Sequence, residues 1–403
     1  MNIKSRVLMI VVVGLIVVGQ LLAVGCSVGG NGNPTYMITY DGNGNTGGSV
    51  PVDSNNYEEK QTVTVLGNTG NLLKTDYTFM GWNTKADGSG NDYVADDTFE
   101  MGSSNLTLYA NWIALKRQMI SVPGGTYTQE DIDGNSFSHT ISAFQMAKYE
   151  VTYELWYIVR DWARSNGYTF AHPGREGDDG TIIDPEGAAP TTIAKYEPVT
   201  TINWRDAIVW CNAYSEMAGF MSVYYTDEAM TTPLKVSTNV GSVDTTTGSE
   251  DNPYVNWSAN GYRLPTEGEW QYVASYQDGT SWTPYNYASG DSAPYDTSTT
   301  IGNYAWYSDN SSDKTHDVGT KLSNQLGIHD VSGNVFEWCW DWEGTWPTTE
   351  QTDYRGPGSG SVRVERGGSW VYGDIRLQVG FRGNFASPFT MSNHVGFRPV
   401  RTQ

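Results

Sequence analysis

Short runs of β-branched and aromatic residues recur over residues 35–113 of the chain. Clusters of Asp, Asn, Gly and Ser separate these runs, for example at residues 41–44 and 87–90. β-branched and aromatic residues favour strands, whereas Gly and Asn favour tight turns. The pattern predicts a small all-β domain with strands at residues 37–40, 61–65, 77–80 and 106–109.

After residue 119 the spacing of apolar residues becomes helical at three places. Each place has a polar residue in the N-cap position, followed by apolar side chains at helical spacing. Residues 119–127 precede them as an apolar strand ended by a Pro-Gly-Gly turn, and loops with short strands follow. The predicted helices are residues 153–164 capped by Thr152, residues 204–217 capped by Asn203, and a short helix after Thr266, which forms a capping box with Glu269.

The most apolar stretch of the chain lies at its N-terminus. Lys4 and Arg6 precede an uncharged run over residues 7–24, and small residues then lead into Cys26. A run of about 18 apolar residues can be an export signal or a membrane-spanning helix. The small residues before the cysteine resemble a bacterial lipobox, which implies removal of residues 1–25 as a lipoprotein signal peptide and lipidation of Cys26. A plain cleaved signal and a retained helix are the alternatives.

Length and charge limit the class of protein. The 403 residues exceed what one core usually supports, so two or more domains are expected. Asp and Glu number 45 against 24 Lys and Arg, which gives a formal net charge of −21. Nucleic acids bind through clustered positive charge, so they are not expected partners. The 45 Gly, 26 Tyr and 15 Trp indicate loop-rich β structure with aromatic anchors.

Cysteine and histidine are the residues from which thiol or metal chemistry would come. Apart from Cys26, the chain has Cys211 and Cys339, each beside a tryptophan, and both buried thiols and one disulfide fit this context. No pattern of a nucleophile elbow or a phosphate loop is found. The residues alone therefore give no positive sign of catalysis. The histidines show no pair at metal-ligand spacing: His139, His172, His316, His329 and His394.

The first domain contains three motifs in order: YDGNG at residues 40–44, FMGWNT at 79–84 and LYANW at 108–112. Their order resembles the B-repeat of internalin-type surface proteins over residues 35–113. That resemblance implies a spacer or a weak adhesion module, here in one copy. Residues 26–34, rich in Gly, Asn and Ser, predict a flexible tether between the lipid and this repeat.

Five sequence blocks follow in a fixed order after residue 119. They are residues 119–127, KYEVT at 148–152, RLPTEGEW at 263–270, SGNVFEW at 332–338, and RGGSW at 366–370 with VGFR at 395–398. Together they resemble the formylglycine-generating enzyme, or sulfatase-modifying factor, family. The resemblance covers residues 119–403 and implies a C-type-lectin-like α+β fold. The predicted fold class is therefore a loop-rich α+β fold preceded by a small all-β repeat domain.

The same resemblance identifies the positions where catalytic cysteines would stand. Active members use two thiols after the Gly-Gly-Ser-aromatic turn to bind Cu(I) and oxidise a substrate cysteine. Soft Cu(I) requires soft thiolate ligands. Alignment on residues 367–370 gives Tyr372 and Leu377 at these two positions, and no cysteine follows Cys339. We therefore expect no copper, no catalytic residues and no enzyme activity.

A calcium site is also implied by the resemblance. The family binds Ca²⁺ around the Gly-Asn-x-x-Glu turn, and the matching positions are Asp330, Gly333, Val335 and Glu337. Two carboxylates and two carbonyl groups are hard oxygen ligands that suit Ca²⁺. Alternatively, Asn334 and Glu337 only cap the turn.

The last forty residues alternate a frame with segments of mixed character. In the frame, Leu377, Val379 and Phe381 are predicted to share one face of a strand. The arrangement resembles the variable region of retroelement-diversified proteins, such as those of treponemes, and implies a binding region over residues 366–400. The implied ligand-binding residues are Val371, Tyr372, Asp374, Ile375, Gly383, Asn384, Phe385, Phe389, Thr390, Met391, Asn393 and His394. Alternatively, these loops pack against each other and against insertions at residues 177–190 and 223–253.

Together these patterns predict an exported bacterial envelope protein that is anchored by lipid at the cell surface. Its C-terminal loops would bind a protein or glycan ligand on another cell or host, and its lipid would bind the membrane. The alternatives are a sulfatase-modifying-factor-type oxidoreductase and a structural envelope lipoprotein.

Overall fold

The computed structural model describes residues 33–403 except 75–76, 115–117, 179–185 and 384–385. The predicted signal peptide, the lipidated Cys26 and most of the tether lie outside the described residues. Among the described helices, none is both long and apolar enough to cross a membrane. The chain divides into two compact units, Met1–Ile113 and Ala114–Gln403.

The N-terminal unit is all-β, as its sequence pattern predicts. Its largest sheet has the strand order β2-β8-β5-β6, in which β2 and β8 run parallel. Two antiparallel pairs, β1-β3 and β4-β7, accompany it. The strands are β1 Thr35–Tyr36, β2 Ile38–Asp41, β3 Tyr57–Glu58, β4 Thr62–Thr64, β5 Tyr77–Asn83, β6 Asp92–Tyr93, β7 Thr98–Glu100 and β8 Leu106–Ala114.

Trp82 is the centre of the core of this unit. It is 1% exposed, and its ring lies 4.6 Å from that of Tyr40 in an edge-on contact. The backbone of Leu66 joins the two side chains: its amide donates to the Tyr40 hydroxyl at 2.8 Å, and its carbonyl accepts from Trp82 Nε1 at 2.8 Å. Buried polar atoms of both rings are thus satisfied.

The C-terminal unit combines three helices with short strands and long loops, which is an α+β, loop-rich fold. Two short 3₁₀ helices, Ile301–Asn303 and Asp374–Arg376, lie within the loops. The elements are β9 Met119–Val122, β10 Gly125–Glu130, β11 Ser136–Ile141, β12 Phe144–Ala147, α1 Tyr153–Ser165, β13 Arg175–Glu176, β14 Val199–Thr200, α2 Trp204–Met217, β15 Tyr224–Tyr225, β16 Tyr254–Val255, β17 Tyr262–Arg263, α3 Glu267–Ser275, β18 Phe336–Trp342, β19 Gln351–Thr352, β20 Arg363–Arg366, β21 Val395–Gly396 and β22 Val400–Thr402.

All three predicted helices are confirmed, because their start signals are local. Thr152 Oγ1 accepts from the third backbone N–H after it at 3.2 Å and caps α1. Asn203 and Asp206 form a reciprocal capping box at α2, and Thr266 and Glu269 do the same at α3. Side-chain oxygens that accept from unpaired N–H groups stabilise a helix start by about 1 kcal/mol.

Strand β18 is the central strand beneath the C-terminal loops. All seven of its residues are buried, and it lies between antiparallel β20 and parallel β21. Phe336, Trp338 and Trp340 alternate on one face and join the core around α1 and α2. Cys339, on the other face, joins a second core around α3. The loops of the candidate site are therefore supported by a buried, aromatic strand.

Of the strands predicted after residue 118, one is confirmed and one is wrong. Strand β9 ends at Val122, directly before the Pro-Gly-Gly turn, as the sequence predicts. The tail segment 377–382 forms no strand, although Leu377 and Val379 are buried. Its amides bond to a neighbouring loop instead: Val379 N donates to Tyr287 O and Gly380 N to Tyr285 O, each at 2.8 Å.

Candidate functional site

The candidate site begins at the Gly367-Gly368 turn that follows β20. Both glycines have positive φ, +101° and +76°, and a Cβ on Gly368 would lie 2.8 Å from the Arg376 carbonyl oxygen. Only glycine has access to this conformation and this close approach at little cost. The Gly367 carbonyl accepts from Gly333 N at 2.8 Å, which ties the turn to the loop before β18. The turn directs residues 371–376 over the aromatic face of β18.

The predicted ligand-binding residues differ in how far they reach the surface. Ile375 and Met391 are 49% and 44% exposed. Gly383 is buried, and its amide donates to Glu365 O at 2.7 Å, so it offers no surface to a ligand and is removed from the set. Asn384 and Phe385 lie outside the described residues. Val371, Thr390 and Asn393 are also exposed, whereas Tyr372, Asp374, Phe389 and His394 are half-buried.

Tyr372 is held in a stack of rings. The guanidinium carbon of Arg376 lies 3.7 Å from the centre of the Tyr372 ring. Phe336 and His394 contact the same ring edge-on, at 5.7 and 5.2 Å between ring centres. The Tyr372 amide donates to Ser369 O at 3.1 Å. These contacts fix a half-buried aromatic side chain in one orientation beside the exposed residues.

His394 is a neutral partner in this stack. Burial, and then the nearby Arg376, lower the pKa of His394 to about 4, whereas Asp178 opposes them. Its Nδ1 lies 2.7 Å from Ser392 Oγ. Next to it, Asn393 Nδ2 donates to Asp178 Oδ2 at 2.5 Å. At neutral pH the histidine therefore contributes ring surface rather than positive charge.

Leu377 does not lie beside Tyr372 at this surface. Its side chain is fully buried in a separate small core with Ala288, Ile301 and Ala305. Burial raises the pKa of both Cys211 and Cys339 well above the usual range. Both cysteines are buried free thiols. The sequence allowed either free thiols or one disulfide, and the structure has no disulfide between these two residues.

Three polar groups without partners lie under the loops, and sequence reasoning missed them. Trp338 Nε1 and Arg376 Nη1 are buried without a hydrogen-bond partner in the described chain. Glu365 is 3% exposed, and no described residue donates a hydrogen bond to its carboxyl group. Burial raises the pKa of this carboxyl to about 8, and the charge of Arg376 opposes the rise. Trp338 and Glu365 are paired across β18 and β20, so their side chains lie on one face.

Buried polar groups without partners are uncommon in folded proteins and need an explanation. The sequence gives little signal for them. Glu365 stands in the segment Arg363-Val364-Glu365-Arg366, three of whose four residues are charged, so its pattern does not predict a buried strand. Charged residues are almost never fully buried unless they are paired. A charged residue in such a strand therefore marks a candidate site, provided that the strand is known to be buried.

The predicted calcium ligands are not assembled into a coordination shell. Arg398 bonds to Glu337 at 2.6 Å, and Trp270 Nε1 donates to the same carboxylate at 2.9 Å. Asp330 Oδ2 accepts from Gly319 N at 2.6 Å, whereas Asp330 Oδ1 has no partner in the described chain. Among the described residues, no three His, Cys, Asp or Glu side chains cluster so as to hold a metal. Glu337 is thus paired with a guanidinium group in the described chain, and the calcium assignment stays a prediction.

The turn at residues 333–335 is tied to Glu150. The Val335 amide donates to Glu150 Oε1 at 3.1 Å, and Asn334 Nδ2 donates to Glu150 Oε2 at 2.7 Å. Burial raises the pKa of Glu150 well above its usual range. Asn334 Oδ1 accepts from the backbone amide of His316 at 3.1 Å, whereas Glu337 pairs with side chains, so the alternative reading holds for Asn334 only.

Comparison with known proteins places both units in families. Residues 110–403 match the sulfatase-modifying factor enzyme 1-like domain, and residues 36–111 match the Listeria-Bacteroides repeat domain. The first match covers more than half of the chain. The two resemblances read from the motifs are thereby confirmed.

Individual relatives carry different names. The "Chaperone protein LppX" of Paenibacillus barcinonensis is 30% identical over 71% of this chain and 89% of its own. The solved structure of Treponema denticola variable protein 1 superposes with a TM-score of 0.56, at 29% identity over 72% of this chain and 96% of its own. A formylglycine-generating enzyme of Thermomonospora curvata is 32% identical over 36% of this chain and half of its own length. Enzymes and a variable protein thus share this scaffold, and the chain belongs to the sulfatase-modifying factor enzyme 1-like domain family.

Proposed function

We propose that the C-terminal unit is a non-catalytic ligand-binding domain that is displayed on the cell surface. The binding surface, called the C-terminal face below, consists of Val371, Tyr372, Ile375, Met391 and His394. It forms part of an adhesin-like or receptor-like lipoprotein whose partner is a protein or glycan on another cell or host. Residues 35–113 act as its spacer.

The observation that carries this proposal is a rigid group of rings next to exposed apolar side chains. Val371, Ile375 and Met391 are large apolar residues that the fold leaves exposed. Tyr372 and Arg376 stack beside them at 3.7 Å. Clustered apolar exposure typically marks an interaction site, and Tyr and Arg are frequent anchors in interfaces because little conformational freedom is lost on binding.

Thiol chemistry does not fit this face. Tyr372 and Leu377 stand where the family's two cysteines are expected, and a phenol or an isobutyl group cannot bind Cu(I). The buried Cys211 and Cys339 have raised pKa values, so they are poor sources of thiolate. These features favour binding over oxidative catalysis.

Diversification of the face by a retroelement is the finer part of the proposal. The similarity to Treponema denticola variable protein 1 over 72% of the chain supports it. Sequencing the locus in many clones tests it, because residues 371–376 and 389–394 should differ between clones while the frame residues 366–370 and 395–400 stay constant. Identical loops, with no nearby template copy or reverse transcriptase, would remove this part of the proposal.

Binding itself is tested with labelled protein on fixed bacterial and epithelial cells in flow cytometry. The triple variant Tyr372→Ala, Ile375→Ser and Met391→Ser should lose most of the wild-type signal. A matched control changes three exposed apolar residues elsewhere, Ile193, Met221 and Val240, to Ser and should keep it. Equal binding by both variants would contradict the assignment of the face. Formylglycine formation on a cysteine peptide with Cu(I) would contradict the loss of catalysis.

A chaperone activity is a second candidate, because a relative that covers 71% of this chain is named a chaperone protein. The same exposed apolar residues could hold an unfolded client. Suppression of citrate synthase aggregation by the wild type, lost in the triple variant, would favour this function. Binding to cells without any suppression would favour the adhesin-like function.

A further inference from the structure

A cavity lies between the segment around β16 and the segment after β19, beside β18. It has a volume of about 320 Å³. Ligand pockets commonly measure about 300–1,000 Å³, so this cavity fits one small ring rather than a folded segment. Its walls are mainly aromatic rings, prolines and glycines, among them Tyr254, Trp257, Trp340, Trp342, Pro357 and Gly358.

Arg355 is the only charged residue among those that line this cavity. The carbon of its guanidinium group lies 4.1 Å from the centre of the Trp257 ring. In the described chain, that group makes neither a hydrogen bond nor an ion pair. Arg355 is exposed, so its N–H groups are available to a ligand. A guanidinium stacked on a ring is held in place while its edge stays free to pair with an anion.

Trp342 adds a further ring to the wall of the same cavity. The residue is only 2% exposed, and the Arg363 guanidinium carbon lies 3.5 Å from the centre of its ring. This contact helps to hold the aromatic wall in place.

A smaller cavity of about 180 Å³ also has Arg355 and Trp257 in its wall. Its carboxylates are already bonded: Glu269 to Arg263 at 2.6 Å, and Asp353 to Ser142 Oγ at 2.7 Å. Burial lowers the pKa of Arg355, and Asp353 and Glu269 oppose this shift, so both carboxylates act on its charge. Neither bonds to Arg355 in the described chain, so its N–H groups remain available to an anionic ligand.

The wall that carries Tyr254 is held rigidly. Arg205, on α2, bonds Asp251 through Nε at 2.6 Å and Nη2 at 2.7 Å. Strand β16 then pairs with β15 at Tyr225 and Tyr254. A preformed wall spares the ligand the cost of ordering the loop.

From these features we propose that this cavity is a site for a carboxylate-bearing sugar, such as a uronic acid unit of a glycan. The carboxylate would pair with Arg355 through two N–H bonds. The C–H face of the ring would pack on the half-buried Trp257 and Tyr254. Charge and flat aromatic walls together favour an acidic ring over an acidic peptide, whose carboxylate is carried on a flexible chain. This site is independent of the C-terminal face.

The test is calorimetric titration of residues 27–403, which omit the predicted signal peptide and Cys26, with trigalacturonic acid as the probe. Its fully methyl-esterified form, which lacks the charge, and a peptide of three aspartates are titrated in parallel. Arg355→Gln should weaken trigalacturonic acid binding at least tenfold and should leave the weak binding of the ester unchanged. Arg164→Gln, which removes an exposed arginine elsewhere, is the matched control and should bind as the wild type does.

Trp257→Ala should also weaken binding, and its melting temperature shows whether it is folded. Because Arg355 is exposed, its variant remains informative if Trp257→Ala does not fold. Three results would each overturn the proposal: no binding of the acid at millimolar concentration, equal binding of acid and ester, or tighter binding of the aspartate peptide. Loss of cell binding in the Tyr372 triple variant, with trigalacturonic acid binding intact, separates this site from the C-terminal face.

Discussion

Replacing Glu365 by glutamine should stabilise the protein at alkaline pH, although Glu365 lies under the proposed binding face. Burial raises the pKa of its carboxyl to about 8, from an ordinary value of 4.5. Between these values the unfolded chain releases the proton while the folded chain retains it. Folding therefore becomes less favourable as the pH rises from 4.5 to about 8, and glutamine, which cannot ionise, removes this penalty.

The size of the effect follows from the separation between the two pKa values. Each pKa unit corresponds to about 1.4 kcal/mol, so the separation sets an upper limit of about 5 kcal/mol above pH 8. Because a carboxylate that ionises in a protein draws water and Arg376 closer, the gain should be smaller. We expect Glu365→Gln to raise the free energy of unfolding by about 2–3 kcal/mol at pH 9 and by well under 1 kcal/mol at pH 4.5.

Urea unfolding followed by tryptophan fluorescence at both pH values measures this difference. Glu350→Gln, at an exposed position, is the control and should change neither curve by more than about 0.5 kcal/mol. An equal gain for Glu365→Gln at pH 4.5 and pH 9, or a loss at pH 9, would refute the reasoning. If the carboxyl also contacts the ligand, the more stable variant should bind cells more weakly than the wild type, which is the usual conflict between stability and function.

Two further predictions concern the frame of the C-terminal unit. Arg398→Met should lower the free energy of unfolding by about 3–5 kcal/mol, because it leaves the fully buried Glu337 without its cation. Adding Glu337→Gln should restore part of this loss. Urea unfolding of the single and double variants measures the recovery, and no recovery would argue against the ion pair. Thr266→Ala should lower the free energy of unfolding by about 1 kcal/mol, because it removes the capping box of α3, and Thr266→Ser should lower it less. An equal drop in melting temperature for both variants would point to a role other than capping.

The sequence by itself determined the helices and the families. Thr152, Asn203 and Thr266 were identified as caps because a cap involves residues only two or three positions away. The all-β repeat followed from alternation and turn clusters in the same way. The order of the motifs indicated the families independently of any contact. The sequence also shows that no cysteine follows Cys339, but it does not show which function replaces the thiol chemistry of the family.

Only the tertiary structure decided which residues of the tail are available to a ligand. It separated Tyr372, in a ring stack near the surface, from Leu377, in a closed core, although they are five positions apart. It paired Glu337 with Arg398, 61 residues later, where the family pattern suggested calcium. It buried Glu365 without a hydrogen-bond donor among the described residues. Exposure and pairing at such distances depend on how β18, β20 and the loops pack together, and periodicity within one segment contains no information about that packing.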